Sequence, residues 1–287
     1  MPARKPSPVG AHVPATGGLV SKTLPYVESI GGEAMQIHAG NPRGWKPPAP
    51  DPVGDEAFAT AASDRNLSVF VHSPYLINLG SPSEVTRANS LQSLRFALQR
   101  GKRLGARGVV VHAGSAVESG RRDTAYKLLR EGLLPVLDSL ADGDPVVLVE
   151  PTAGGGEPLA ATLDDLAVWL AALDDHPRVL VCLDTCHLFA AGHDVASPGG
   201  MRSVLNTYRR VIGRGRLGLV HGNDSRDPLG SNRDRHANIG HGSIGEGPFA
   251  ELFRHLATRN VAVLVETPAE NGGQVRDIGI LKQLRDQ

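Results

Sequence analysis

Eight short, β-branched-rich segments recur along the chain, and each closes on or beside a histidine or a carboxylate. They are residues 9–13, 33–38, 67–72, 107–112, 145–150, 178–184, 216–221 and 261–266. Their polar ends are His12, His38, His72, His112, Glu150, Asp184, His221 and Glu266, spaced 26 to 45 residues apart. A strand, its crossover helix and the return to a parallel strand need about 30 residues or more, so the spacing is that of one unit repeated eight times. Amphipathic stretches at 84–104, 122–141, 162–175, 200–213, 248–259 and 274–285 fill the intervals. Thr162 followed by Asp165 reads as a capping box, and Pro248 sits where a first helical turn begins. The strands are near-continuous apolar runs, as parallel strands covered on both faces must be. Eight such units predict an α/β protein, a single (β/α)8 TIM barrel whose active site lies at the C-terminal face of the strands. An open, doubly wound sheet is the alternative. Residues 1–7 read as a flexible, proline-rich basic tail and 8–287 as one barrel, with no internal boundary or sequence repeat.

Composition narrows the partners. Lys plus Arg (30) balances Asp plus Glu (30), which excludes coating nucleic acid by bulk charge but allows a local basic groove. All but 6 of the 30 cations are Arg, which suits bidentate phosphate contacts. Two cysteines, Cys182 and Cys186, cannot build a disulfide framework. No apolar run approaches the roughly 18 residues of a membrane span, and the opening MPARKPSPVG lacks a signal-peptide core. The expectation is a soluble, cytoplasmic protein without membrane contact.

The strand ends carry the chemistry. One histidine there is usually structural, but eight polar ends converging on one barrel mouth are hard to assign to chance. Carboxylates gathered in a half-buried space repel one another unless cations sit between them. Neutral imidazole and carboxylate are good ligands for a divalent ion, so the pattern predicts a multinuclear metal centre. Strand six runs into Asp184-Thr185-Cys186-His187, read as a loop that adds a second imidazole. After His221-Gly222-Asn223-Asp224, a long polar loop delivers Asp234-Arg235-His236, and alternate residues of an extended D-x-H share one face. Cys182 and Cys186 read as small buried apolar residues rather than thiolate ligands. The string 240–245 matches G-x-G-x-x-G but follows a polar loop instead of a strand, so it is not a dinucleotide site. Its glycines, like Gly154-Gly155-Gly156, read as turn formers, the latter also as a place of close approach to substrate. Arg226, Arg233 and Arg235 are candidates for phosphate contacts, with a solvated loop as the other reading.

Taken in order, GAHV at 10–13, HSPYLINLG at 72–80, VVHAG at 110–114, VEPTAGGG at 149–156, CLDTCHLFAAGHD at 182–194, HGND and GSNRDRHANIG within 221–240, and VET at 265–267 cover nearly the whole chain. This series resembles the endonuclease IV family of apurinic/apyrimidinic DNA-repair endonucleases. The resemblance implies a (β/α)8 barrel with three Zn2+ per chain. His72, His112 and Glu150 would hold the first metal; Glu150, Asp184, His221 and Glu266 the second, with Glu150 bridging; His187, Asp234 and His236 the third. The sequence departs from the family pattern beside some ligands: Ser-Pro follows His72, and strand two reads IHAGNPRGW.

The implied reaction is hydrolysis of the phosphodiester 5′ to an abasic site in duplex DNA, leaving a 3′-hydroxyl, with removal of blocked 3′ ends as a related activity. Three divalent ions outweigh the four ligand carboxylates, which leaves positive charge to receive a phosphodiester anion. Bridged metals also supply nucleophilic water near neutrality. Glu150, Glu266 and Asp184 are the catalytic candidates, and Glu150 or Glu266 is expected to orient that water. Arg43 and Tyr75 match family positions that insert into DNA at the lesion. The implied protein is a monomer acting on DNA at the nucleoid. The alternatives are a metal-dependent sugar isomerase on the same barrel and a non-catalytic protein that binds damaged DNA.

Overall fold

Alternation along each strand sorts the side chains before any strand pairs with another. In 34–38 and 108–112, Met35, Ile37, Val109 and Val111 face the surrounding helices, while Ala34 and Val110 turn to the opposite side. The computed structural model describes residues 6–287. Its strands are β1 (Val9–His12), β2 (Ala34–His38), β3 (Ser68–His72), β4 (Gly108–His112), β5 (Val146–Glu150), β6 (Val179–Asp184), β7 (Leu217–His221), β8 (Asp224–Ser225), β9 (His236–Ala237) and β10 (Ala262–Val265). Eight of them close into a parallel barrel in the order β1-β10-β7-β6-β5-β4-β3-β2, while β8 and β9 pair antiparallel outside it. The expected TIM barrel is therefore the fold, and the open sheet is excluded.

Inside the barrel, Ala34, Phe70, Val110, Leu148, Cys182, Leu219, Ala262 and Leu264 pack together and fill the floor. Two residues further along those strands, the inward positions become polar: Gln36, His72, His112, Glu150, Asp184, His221 and Glu266. The period of two thus lays a ring of titratable side chains directly on an apolar plug. Register decides who meets whom. His112 lies opposite Glu150, His38 opposite His72, and Asp184 opposite His221. The last pairing needs a bulge, because Val181 pairs Leu217 but Cys182 pairs Leu219. Gly218 is the extra residue; a Cβ there would lie 2.5 Å from the Leu148 side chain and 3.2 Å from Leu180. Without the bulge, Asp184 would face Val220 and the ring would break.

The helices follow the expected spans, the first five with shortened C-terminal ends and the last two starting one residue early: Glu84–Arg103, Arg122–Asp138, Leu163–Ala171, Gly200–Val211, Gly247–Arg254 and Gly273–Arg285. The capping box forms as read, since Thr162 Oγ1 accepts from Asp165 N at 3.1 Å and the Asp165 carboxylate accepts from Thr162 N at 3.1 Å. Helix Leu163–Ala171 carries Trp169, buried, whose indole N–H donates to Ala113 O at 3.0 Å and so braces the residue after His112. Helices over Leu24–Ser29, Pro52–Asp64 and Thr185–Ala190 were not among the sequence-derived stretches. Of the tail expected at 1–7, residues 1–5 lie outside the described residues. Ser7 is buried and its hydroxyl donates to Thr258 O at 2.9 Å, so the packed body begins before residue 8. No helix among the described residues is long and apolar enough to cross a membrane.

Candidate metal centre

Glu150 stands at the centre of the polar ring with none of its surface exposed. One oxygen, Oε2, lies 3.4 Å from both His72 Nε2 and His112 Nε2; the other, Oε1, lies 2.9 Å from His221 Nδ1 and 3.5 Å from His187 Nδ1. Yet Glu150 Oε2, His187 Nε2 and His236 Nε2 are buried without a hydrogen-bond partner. An unpaired buried carboxylate oxygen is costly, so lone pairs converging on one space point to a cation between them. Among the described residues, three sets made of imidazole and carboxylate alone bring their ligand atoms within 4.8 Å of one another: His72, His112 and Glu150; Glu150, Asp184, His221 and Glu266; and His187, Asp234 and His236. These are the sets that the family resemblance implied. Their imidazole and carboxylate donors fit zinc.

The protein aims the ligands. His72 Nδ1 donates to Ser73 O at 2.7 Å and His187 Nδ1 to Pro151 O at 3.0 Å, which leaves each Nε2 lone pair facing the carboxylates. Asn223 ties two more together: its Nδ2 donates to Asp184 Oδ2 at 2.7 Å, and its Oδ1 accepts from Glu266 N at 2.7 Å. Burial opposes ionisation of Glu150, but His221, His112 and His72 outweigh it and hold its pKa well below the usual carboxylate range. Burial likewise works against a charged His236, while the charges of Asp184 and Asp234 lift it to about 9. Protons are what neutralise this ring when no metal is there, and metal uptake must expel them. Cys182 and Cys186 also approach the carboxylates. Burial pushes the Cys182 thiol up to about 12 and raises Cys186 too, in keeping with the apolar reading of both.

The segment 184–187 is a helix start and not the expected loop. Asp184 is the N-cap of Thr185–Ala190 and its Oδ1 accepts from His187 N at 2.9 Å. That turn swings His187 back over Pro151. Asp234 and His236 do turn to one side: Asp234 Oδ2 lies 3.2 Å from His187 Nε2 and Asp234 Oδ1 lies 3.0 Å from His236 Nε2. His236 is held by the β8–β9 pairing, opposite Ser225. Beneath it the buried carboxylate of Asp224 accepts from the backbone N–H groups of Ser225, Gly240, Gly242, Ile244 and Gly245 at 2.8 to 3.2 Å. This is the work of the glycine string: a Cβ on Gly242 would lie 2.5 Å from Asp224 Oδ1. At Gly154 the close approach is made by the Asn232 side chain, 2.2 Å from where a Cβ would lie.

Around the mouth, an open cleft of about 530 Å³ is lined by Tyr75, Arg226, Asp234, His236, Glu266, Thr267, Pro268 and Glu270. Tyr75 is 46% exposed, packs edge-on against His38 and His72, and its N–H donates to Pro42 O at 3.0 Å. That bond sets Tyr75 beside the loop of Arg43, which is exposed. Arg226 Nε donates to His236 O at 2.9 Å. Arg235 and Arg233 both turn to Asp227, with Arg235 Nε 2.6 Å from Asp227 Oδ2, so part of their charge is already compensated. His12 joins the ring through Glu266 Oε1 at 3.1 Å. Sequence reasoning passed over Gln36, Asn223 and Asp224 as functional residues. The first stands two positions beyond inward-facing Ala34, and that period was the available signal.

A parallel eight-stranded barrel with clustered imidazoles and carboxylates at its C-terminal mouth defines a metal-capable enzyme scaffold, and residues 24–284 match the family described as xylose isomerase-like TIM barrel. A probable endonuclease 4 from Streptomyces avermitilis is 48% identical over 99% of this chain and 92% of its own length. Endonuclease IV from Thermus thermophilus superposes with a TM-score of 0.85 at 34% identity, covering 97% of this chain and 99% of that one. A 3-keto-D-glucoside 4-epimerase from E. coli reaches a TM-score of 0.71 at 19% identity, covering 98% of this chain and 100% of that one, which shows a shared fold alone. The chain belongs to the endonuclease IV family: it is a hydrolase of the deoxyribonuclease IV type, an apurinic/apyrimidinic endonuclease of DNA repair.

Proposed function

We propose that this enzyme binds three Zn2+ ions and hydrolyses the phosphodiester 5′ to abasic sites in duplex DNA, leaving a 3′-hydroxyl, and that it also removes blocked 3′ ends. The observation that carries the reading is the buried Glu150 carboxylate, shared between two ligand sets and lacking a partner for Oε2. Zinc held there supplies Lewis acidity and lowers the pKa of water. The chain's own residues do the rest. Glu266, at the cleft wall, is placed to orient a water entering from solvent, whereas Glu150 is fully enclosed. Asp184 and Glu150 carry charge that balances the cations. Arg226 borders the cleft where a phosphate would lie, with Arg233 and Arg235 behind it. All nine ligands come from one chain, which supports a monomer as the working unit, and its substrate is the chromosomal DNA of the cytoplasm.

A duplex with a single abasic analogue tests this, incubated with and without chelator. The expected result is one incision 5′ to the lesion, lost with chelator and restored by zinc, with elemental analysis near three zinc per chain. Tight binding without incision would mean a damage-binding protein. A reproducible stoichiometry near one would favour the isomerase, although among the described residues no lysine lines the cleft to assist that chemistry.

A cluster at the bottom of a barrel mouth cannot reach a phosphodiester in straight, stacked duplex, so the abasic nucleotide must swing out. Tyr75 and Arg43, joined through the Pro42 hydrogen bond, form the rim that would fill the gap. Tyr75→Ala and Arg43→Ala are expected to keep metal content and thermal stability but weaken binding to abasic duplex by about 1–3 kcal/mol. Tyr75→Ala should leave the salt dependence unchanged, because no phosphate charge is lost. Binding is to be compared on abasic and intact duplex across a salt series. Equal losses on both would assign these residues to general affinity.

A further inference from the structure

Gln36 is a fully buried amide in a strand whose earlier residues are apolar, and it touches one ligand at the end of β7 and another just past β10. Its Oε1 lies 3.1 Å from His221 Nε2, and its Nε2 donates to Glu266 Oε1 at 2.7 Å. The same nitrogen lies 2.9 Å from His12 Nδ1. Chemistry fixes the orientation of the amide. A carboxylate only accepts, so the –NH2 group must face Glu266, and the carbonyl oxygen is left to accept from His221. His221 Nε2 therefore carries a proton, and Nδ1, which donates to Glu150 Oε1 at 2.9 Å and lies 3.3 Å from Glu266 Oε2, is the ring atom left to take a cation once its own proton is displaced. One hydrogen bond selects the tautomer of a ligand; the other occupies one oxygen of a second ligand and leaves its partner oxygen free.

We propose that Gln36 is the positioning residue of the four-ligand site formed by Glu150, Asp184, His221 and Glu266, setting the His221 tautomer and the Glu266 rotamer together. The inference rests on the metal-binding reading above and deepens it. Removing an outer partner of a metal ligand characteristically costs about 10–100-fold in metal affinity. Its effect here is confined to one of three sites, because the Gln36 amide hydrogen-bonds to no residue of the His72–His112 pair or of the His187–Asp234–His236 set.

The test is zinc retention per chain against graded chelator, comparing wild type with Gln36→Met, which keeps the length and drops the amide, and Gln36→Glu, which keeps an acceptor for His221 but loses the donor to Glu266. Gln36→Met is expected to release one zinc about 10–100-fold more readily while two are held as in wild type, with Gln36→Glu also impaired. Thermal unfolding of the metal-free proteins should be little changed. Three zinc ions held as tightly as in wild type would overturn the inference, as would loss of all three together with a weakened metal-free fold, which marks mere packing. A second reading needs no variant: in the zinc-loaded wild-type protein, 15N shifts of His221 should show a protonated Nε2 and an unprotonated Nδ1, and a proton on Nδ1 with a bare Nε2 would overturn the assignment. Wild-type protein that takes up no zinc at all would overturn the proposed function itself, and this inference with it.

Discussion

Glu150→Gln is expected to yield a folded protein whose incision of abasic duplex falls on the order of 10³-fold, about 4 kcal/mol of lost transition-state stabilisation. The amide has the shape of the carboxylate, so the apolar plug beneath, with Leu148 two residues earlier on the same face, is undisturbed. What disappears is the one charge within 3.5 Å of four imidazoles, His72, His112, His187 and His221. Two of the three ligand sets use that carboxylate, so zinc content should fall along with activity. Binding to abasic DNA, which depends on the rim and the cleft wall, should survive better than turnover. Incision within a few-fold of wild type would show that Glu150 joins no two metals.

Asp224→Ala is expected to be the most destabilising single change near the site, by about 3–5 kcal/mol in denaturant unfolding. Its carboxylate accepts five backbone N–H groups, and alanine would leave all five without that acceptor, those of Ser225 and Ile244 in buried positions. The loop 240–245 is the support under the β8–β9 pair, and that pair presents His236. The third ligand set should therefore weaken as well, with zinc content dropping from three toward two. Asp224→Asn, which keeps one acceptor oxygen, should fall between. A stability change below about 1 kcal/mol with full zinc content would mean that solvent replaces the carboxylate and that the loop carries no load.

Much of this site was legible in one dimension. The period of two from Val110 to His112, from Leu148 to Glu150 and from Leu219 to His221 is a local property of extended chain, and so is the pairing of Asp234 with His236 across Arg235. The capping box at Thr162 is equally local. The helix over Thr185–Ala190 is not legible in the sequence, because Asp184 serves as candidate ligand and N-cap at once, and six residues with four apolar side chains carry too little periodicity to show it.

By itself, then, the sequence determined the repeating strand–helix unit, the barrel, the ring of polar strand ends and the membership in a family of endonucleases, since each depends on residue type at short spacing. Only the tertiary structure decided which of those ends meet. The bulge at Gly218 levels His221 with Asp184, a register set by close packing against Leu148 and Leu180. Gln36 reaches His221 across 185 residues and Glu266 across 230, and Asp224 gathers amides 16 to 21 residues away. Hydrogen bonds of that kind exist only once the barrel has closed, because closure alone brings β2 level with β7 and β10 around one buried centre.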